Sequence, residues 1–159
     1  MNSNITIHRA THQNAQHIAI MVGELLDEIM QAIGNQAFNF SLSATSDRLA
    51  DFIEQEKYYV FIAQDENAAP VGFITLCVSY ALYAEGAFGI IPELFVRPAY
   101  RSQKVGLQLM EQAKTFGRLR GWKRLEVTTP QLPQFNKTLA FYEREGFAIA
   151  GGRKMKVLL

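Results

Sequence analysis

The sequence predicts an α/β or α+β fold, a mixed sheet with helices on its faces, and three observations carry that prediction. Apolar residues recur at helical spacing in segments within 12–33, 45–57, 104–120 and 136–146. Between them lie shorter segments rich in β-branched and aromatic residues, at 4–10, 58–64, 71–80, 88–96 and 122–129. The order along the chain is β-α-α-β-β-β-α-β-α-β-β, without repeats or low-complexity linkers. At 159 residues, 48% of them hydrophobic, the chain is expected to form one domain over 1–159 with a proper core.

The elements follow in turn. "NITIHRA" alternates as a first strand, and Thr11 caps a long helix that places Ile18, Met21, Val22, Leu25, Leu26, Ile29 and Ile33 on one side. Gly34 and Asn35 stop it. After the loop "NQAFNFSLS", the helix "TSDRLADFIEQEK" buries Leu49, Phe52 and Ile53. "YYVFIAQ" and "VGFITLCVSY" flank the turn "DENAAP" as a hairpin over 58–80. "ALYAEGA" reads as a loop and "FGIIPELFV" as a strand interrupted by Pro92. A proline cannot donate to a ladder, so a bulge or local splaying is expected there. A helix over about 104–120, the strand "WKRLEVTT", the break "PQLPQ" and the short helix "NKTLAFYEREG" come next. The tail "FAIAGGRKMKVLL" reads as two strands around Gly151 and Gly152.

Charge and cysteine content narrow the function. A formal net charge of +1 gives no global field towards nucleic acid or an anionic membrane. Arg118, Arg120, Lys123 and Arg124 cluster around Trp122, but they more simply cover a helix end and a strand start. With Cys77 alone, neither a disulfide nor a CxxC metal pair forms within the chain, and its place in "FITLCV" reads as a buried structural thiol. His8, His12 and His17 show no tetrahedral ligand spacing, so no metal is expected. No basic-then-apolar leader and no run of membrane length stand out, so a soluble cytoplasmic protein is expected.

The stretch "VRPAYRSQKVGLQLM" carries the most information. A strand leading through a tight loop into a helix aims several N–H groups at one point, and the helix N-terminus favours an anion there. Arg101 and Lys104 add charge, Ser102 and Gln103 add donors, and Gly106 permits close approach. Read from these residues alone, a phosphate cradle and an ordinary solvated loop both stand. The loop is neither a GxxxxGK[ST] P-loop nor a GxGxxG fingerprint.

This loop, together with "ELFVRPAYR" before it and "FNKTLAFYEREGF" after it, resembles the GNAT family, the Gcn5-related N-acetyltransferase superfamily. Arg101, Gln103, Lys104, Val105 and Gly106 occupy its Gln/Arg-x-x-Gly-x-Gly/Ala stretch. Asn136, Ala140, Phe141, Tyr142, Gly146 and Phe147 resemble its later N-x-x-A-x-x-F-Y-x-x-x-G-F segment. The likeness in element order runs from residue 4 to the end and is sharpest over 93–147. It implies a mostly antiparallel central sheet of six to seven strands with about four helices. One departure is Lys104, where the family usually has glycine. A left-handed backbone there costs a lysine about 1 kcal/mol; a right-handed one adds a cation cheaply and is the conformation expected.

The resemblance implies acetyl-CoA as acyl donor, its diphosphate on the amides of Gln103 to Gly106 with Arg101 and Ser102 contributing. Its pantetheine arm would lie beside the strand ending at Val96, where N–H groups of Phe95 or Val96 would polarise the thioester carbonyl. Tyr142 matches the tyrosine that serves the leaving sulfur, and Asn136 the residue that binds the arm; by pattern alone they read as a core aromatic and a helix N-cap. Glu93, just before "LFV", is the candidate base for an amine acceptor, with a structural carboxylate as the alternative and Glu85 in reserve. Glu24, Asp27 and Glu28, with Phe38, Phe40, Tyr80, Tyr83, Glu85 and Phe88, would suit a small cationic amine, although each alone also fits a solvated face or core closure. The expectation is an N-acetyltransferase acting on a small-molecule or peptide amine. A protein-lysine acetyltransferase and a non-catalytic acyl-CoA sensor are the alternatives. A homodimer joined through "MKVLL" is equally compatible with that stretch being an internal strand.

Overall fold

A computed structural model describes residues 4–130 and 133–159. Gln131 and Leu132, in the expected "PQLPQ" break, lie outside the described residues, as do the first three. The described chain divides into two compact units, Met1–Thr128 and Thr129–Leu159.

The first unit holds a six-stranded sheet. Strand β1 (Thr6–Arg9) is followed by α1 (Ala15–Ile33) and α2 (Leu42–Glu54), then β2 (Tyr59–Gln64), β3 (Pro70–Ala81), β4 (Gly86–Ile91) and β5 (Leu94–Val96). Helix α3 (Val105–Leu119) and β6 (Leu125–Val127) complete it. The sheet order is β1-β2-β3-β4-β6, with β5 pairing β3; every pairing is antiparallel except β4 with β6.

Local chemistry sets the helix ends. Thr11 Oγ1 accepts the Gln13 N–H while Asn14 Oδ1 accepts the Thr11 N–H, a capping box on the turn that leads into α1. Gly34 ends α1 in a left-handed conformation, φ 73°, its N–H bonded to Met30 O. Helix α2 begins three residues before the expected Thr45, because Ser41 in the aromatic loop accepts the Ala44 N–H.

Alternation along the strands splits the core into two layers. Val60, Ile62, Phe73 and Phe95 pack with Ala15, Ile18 and Met21 of α1 and Leu49 of α2. Tyr59 and Phe61 meet Phe116 of α3, with ring centroids 4.9 and 5.8 Å apart. Helices α1 and α2 therefore cover one face and α3 the other.

Pro92 marks the break expected from the sequence, and the registers show its form. Cys77 faces Ile90 and Gly72 faces Val96, so five steps back along β3 match six steps forward from β4 into β5. One extra residue sits opposite β3, which defines a β-bulge at Pro92.

The second unit contains α4 (Asn136–Arg144), closed by Gly146 at φ 96° and a Phe147 N–H bond to Tyr142 O at 3.0 Å. The two strands expected in the tail are absent: residues 147–159 carry no ladder. Ile149, Met155, Val157, Leu158 and Leu159 are largely exposed, and alternating apolar residues become a strand only where an open edge accepts their N–H and C=O groups.

Candidate active site

The bulge at Pro92 does three things at once. It turns Glu93 onto the face shared by Ile90 and Phe95, the face covered by α1 and α2; without the extra residue Glu93 would point the opposite way. It ends the pairing between the strand and β6, which runs through Gly89, Ile90 and Ile91 only. It also fixes which peptide groups of β5 are free. Thr75 N–H donates to Glu93 O at 2.9 Å and Arg97 N–H to Val71 O at 2.8 Å, so the Glu93 carbonyl, the Phe95 peptide groups and the Arg97 N–H face β3. Those of Leu94 and Val96 point to the outer edge, where no strand pairs among the described residues, and of these the Val96 carbonyl is taken by Arg101 Nε at 2.8 Å.

Glu93 itself is held from two strands. Tyr58, just before β2, donates to Oε1 at 3.3 Å, and Thr75 of β3 donates to Oε2. The Thr75 hydroxyl also accepts the Glu93 N–H at 2.9 Å, capturing the donor that the bulge rotates out of the ladder. Burial pushes the Glu93 carboxyl above its usual range, and the two hydroxyl donors hold it back. Burial, and then the Glu93 charge, likewise raise the Tyr58 phenol and the half-buried Cys77 thiol. Neither Tyr58 nor Thr75 stood out in the sequence, since both read as ordinary residues of apolar strands.

The loop ahead of α3 contains two left-handed residues, Ser102 at φ 64° and Lys104 at φ 65°. The right-handed conformation expected of Lys104 is thus not the one adopted. The chain must reverse sharply between the turn at Pro98–Tyr100 and α3, and it does so at these two positions. Lys104 in the left-handed region followed by helical Val105 makes a backbone concavity of the kind that takes an anion. The ladder of α3 opens with Gln108 N–H to Lys104 O at 3.0 Å, so the amides of Val105, Gly106 and Leu107 precede it, and no side chain caps the helix.

Arg101 does not lie in the loop's concavity. Its Nε donates to Val96 O at 2.8 Å, its Nη2 contacts Glu28 Oε2 at 2.8 Å, and its guanidinium lies 5.6 Å from the centre of the Phe95 ring. Arg97 makes a two-pronged pair with Glu24 at 3.0 and 2.8 Å and donates to Pro70 O. Glu24, Asp27 and Glu28 line a groove of about 320 Å³ with Gln31, Phe95 and Pro98.

Other expected residues are placed elsewhere. Glu85 sits in the turn between β3 and β4, six ladder steps from the Thr75–Glu93 pair and hence ~20 Å along the strand. Tyr80 and Tyr83 are largely exposed near that turn, whereas Phe88 is buried and Arg124 lies 5.2 Å from its ring centre. Phe40 packs its ring over Gly23 on α1. Two of the basic residues near Trp122 are engaged: Arg120 stacks on Tyr59 and Phe116, and Arg124 pairs with Glu126 at 2.8 Å.

In the second unit, Tyr142 is buried, with the Phe141 and Phe147 rings each 5.4 Å away, and burial pushes its phenol up to about 12. Asn136 opens α4 as its first residue, exposed, with Phe135 in the cap position.

Over 152 residues the chain is 27% identical to the aminoalkylphosphonate N-acetyltransferase of Salmonella typhimurium, covering 96% of this chain and 90% of that protein. An aminoglycoside N-acetyltransferase crystallised with CoA superposes with a TM-score of 0.80 at 15% identity, covering 99% of this chain and 97% of that one. A GCN5-related N-acetyltransferase of Ralstonia eutropha does so with a TM-score of 0.75 at 17% identity, covering 97% and 99%. The two superpositions show a shared fold. No described helix is long and apolar enough to cross a membrane. A sequence model of the acetyltransferase (GNAT) domain matches residues 56–149, which contain the bulged strand, the α3 loop and α4, and the chain belongs to that family of N-acetyltransferases.

Proposed function

We propose that the protein transfers the acetyl group of acetyl-CoA directly to a primary amine of a small molecule or peptide, with residues 1–159 working as one cytoplasmic domain. The observation that carries this reading is the bulge at Pro92, where a strand edge with free peptide groups begins one residue from a buried carboxylate. Acetyl-CoA, when bound, supplies an electrophilic thioester carbonyl and a thiolate leaving group.

The chain's residues fit that donor. The concavity at Lys104–Val105 and the amides up to Gly106 suit a diphosphate, with Ser102, Gln103 and the Lys104 ammonium beside it. The Leu94 peptide groups suit an extended arm that itself carries amides; the Val96 carbonyl is held by Arg101 Nε, and Val96 N–H is the donor assigned to the thioester oxygen. Phe95, whose peptide groups face β3, serves by keeping that edge in place. Asn136 is assigned to the arm. Tyr142, protonated throughout the working range, is assigned to donate to the departing sulfur.

Glu93 is assigned to take the acceptor's proton. An alkylammonium near pKa ~10 is almost wholly protonated at neutral pH, so attack requires a base. A carboxylate raised by burial is a stronger base than an exposed one. The aminoalkylphosphonate relative makes short aminoalkylphosphonates the first acceptors to try.

The test is thermal unfolding with acetyl-CoA, CoA and adenosine diphosphate, followed by CoA-release assays on a panel of amines. At a hundredfold excess over Kd, a ligand of the native state adds about 2.7 kcal/mol. For a chain of this size that is a rise of roughly 5–10 °C, larger for acetyl-CoA than for the diphosphate. No rise at millimolar acetyl-CoA would overturn the proposal. A rise without CoA release from any amine would favour a sensor of acyl-CoA.

A further inference from the structure

Three hydrogen bonds around Glu93 go beyond what a base in a strand requires. The Thr75 hydroxyl accepts the Glu93 N–H at 2.9 Å, and its single proton has two acceptors in reach, the Glu93 carbonyl at 3.3 Å and Oε2 of the carboxylate. A charged acceptor forms the stronger and shorter bond, so the proton goes to Oε2. Tyr58 donates to Oε1 at 3.3 Å. Each carboxylate oxygen therefore takes one hydroxyl donor and keeps one lone pair for a further proton.

These donors come from different strands. Thr75 lies on β3, opposite the bulge; Tyr58 precedes β2 and packs against the core beneath α1 and α2, its ring 5.1 Å from Phe52 of α2. The carboxylate is clamped between two rigid elements and not left to sample rotamers. Side chains on an isolated loop would not do this.

We infer that Thr75 and Tyr58 are positioning residues for the acetyl-transfer reaction: their hydroxyls aim the Glu93 carboxylate and keep it ionised, ready to receive the proton that the acceptor ammonium loses before it attacks, while the second proton that nitrogen loses balances the one delivered to the departing sulfur. The inference rests on the reading of Glu93 as the base. Thr75 has a double task, since the same hydroxyl satisfies the amide freed by the bulge. Tyr58 has only the electrostatic one. Among the described residues, the titratable groups facing the carboxylate are Tyr58 from just before β2 and Cys77 from β3; both are neutral at working pH, since burial and the Glu93 charge raise both. Among the described residues, no cation belongs to the groups that shift the Glu93 carboxyl, and the two hydroxyls are its stabilising partners.

The experiment follows the Glu93 side-chain carboxyl by 13C NMR in glutamate-labelled protein, with the resonance identified by its loss in Glu93→Gln. Tyr58→Phe and Thr75→Val each move its titration midpoint to higher pH, and Thr75→Ser restores the wild-type midpoint. Should Thr75→Val fail to fold for want of the bulge hydroxyl, Tyr58→Phe alone still reads the effect. A midpoint unmoved by Tyr58→Phe and by Thr75→Val overturns the inference.

Rates are then measured with acetyl-CoA and an amine accepted in the panel. The acid limb of the pH–rate profile moves with the carboxyl midpoint, kcat falls about tenfold at neutral pH in Tyr58→Phe, and KM for acetyl-CoA stays unchanged. If the resonance moves while the rate profile does not, the clamp stands and the assignment of Glu93 as base is what fails.

Discussion

Lys104 holds a left-handed backbone, φ 65°, at the point where the loop enters α3. An L-residue with a Cβ is disfavoured there by about 1–2 kcal/mol, while glycine loses about 0.4–1 kcal/mol more entropy from the unfolded chain. Lys104→Gly is accordingly expected to stabilise the protein by about 0.5–1 kcal/mol in urea unfolding. The same replacement removes an ammonium from the proposed diphosphate cradle, so acetyl-CoA affinity measured calorimetrically should fall. Stabilisation with unchanged affinity would mean that the lysine charge does not reach the phosphates. Glu93 offers a second test at this scale. Its native carboxyl titrates above the ordinary value of 4.5, so the native state holds more protons than the unfolded one between those two pH values. The stability this group contributes is fully present below 4.5 and is lost as pH rises through its native value. Unfolding measured across the acid range should show wild type losing ground to Glu93→Gln with rising pH, then running parallel to it. A constant difference at all pH values would show that the carboxyl is not raised.

The bulged strand acts as an element only while β5 stays tight against β3. Gly72 permits this: a Cβ there would lie 2.7 Å from the Phe95 carbonyl oxygen and 3.4 Å from Val96 Cα. Both are backbone atoms, so Gly72→Ala must push β5 aside. It should cost about 1–3 kcal/mol and lower the melting temperature by several degrees, with a fall in turnover as the Val96 amide moves. Gly151→Ala, where nothing lies within 4 Å, is the neutral control in the same thermal scan. The elements were legible to very different degrees. Pro92 announced the break, because the missing N–H is visible in one residue. The α3 loop and α4 were legible because their chemistry sits within a few consecutive positions. Thr75 and Tyr58 were not, since they meet Glu93 across strands and 18 and 35 residues away, and a threonine inside "FITLCV" looks like core. The tail reads as strands and is not: "MKVLL" has strand composition, but composition does not supply an edge to pair with. The Lys104 conformation is not legible in the sequence, because it is dictated by the reversal between two elements and not by the residue's own preference.

Across the whole molecule, two ion pairs tie the first helix to the strand and loop that the cofactor would use. Glu24 with Arg97 and Glu28 with Arg101 each join residues 73 apart in sequence, one turn apart on α1 and on either side of the turn at Pro98–Tyr100. As stability devices they count for little: the Glu28–Arg101 side chains are 46% and 43% exposed, and exposed pairs contribute at most ~1 kcal/mol. Their consequence is electrostatic. Glu28 holds the Arg101 guanidinium against β5, away from the Lys104 concavity, and offsets its positive charge with a negative one. Glu28→Gln frees the arginine and removes that charge at once. The expected result is a melting temperature little changed, acetyl-CoA binding tightened about two- to fivefold in low salt, and the gain shrinking as salt is raised. Glu24→Gln should not reproduce it, because Arg97 is also held by the Pro70 carbonyl and lies before the turn. Affinity unchanged in Glu28→Gln would show that Arg101 stays on the Val96 carbonyl when the cofactor binds, and that its part is to close the strand edge and not to meet the phosphates.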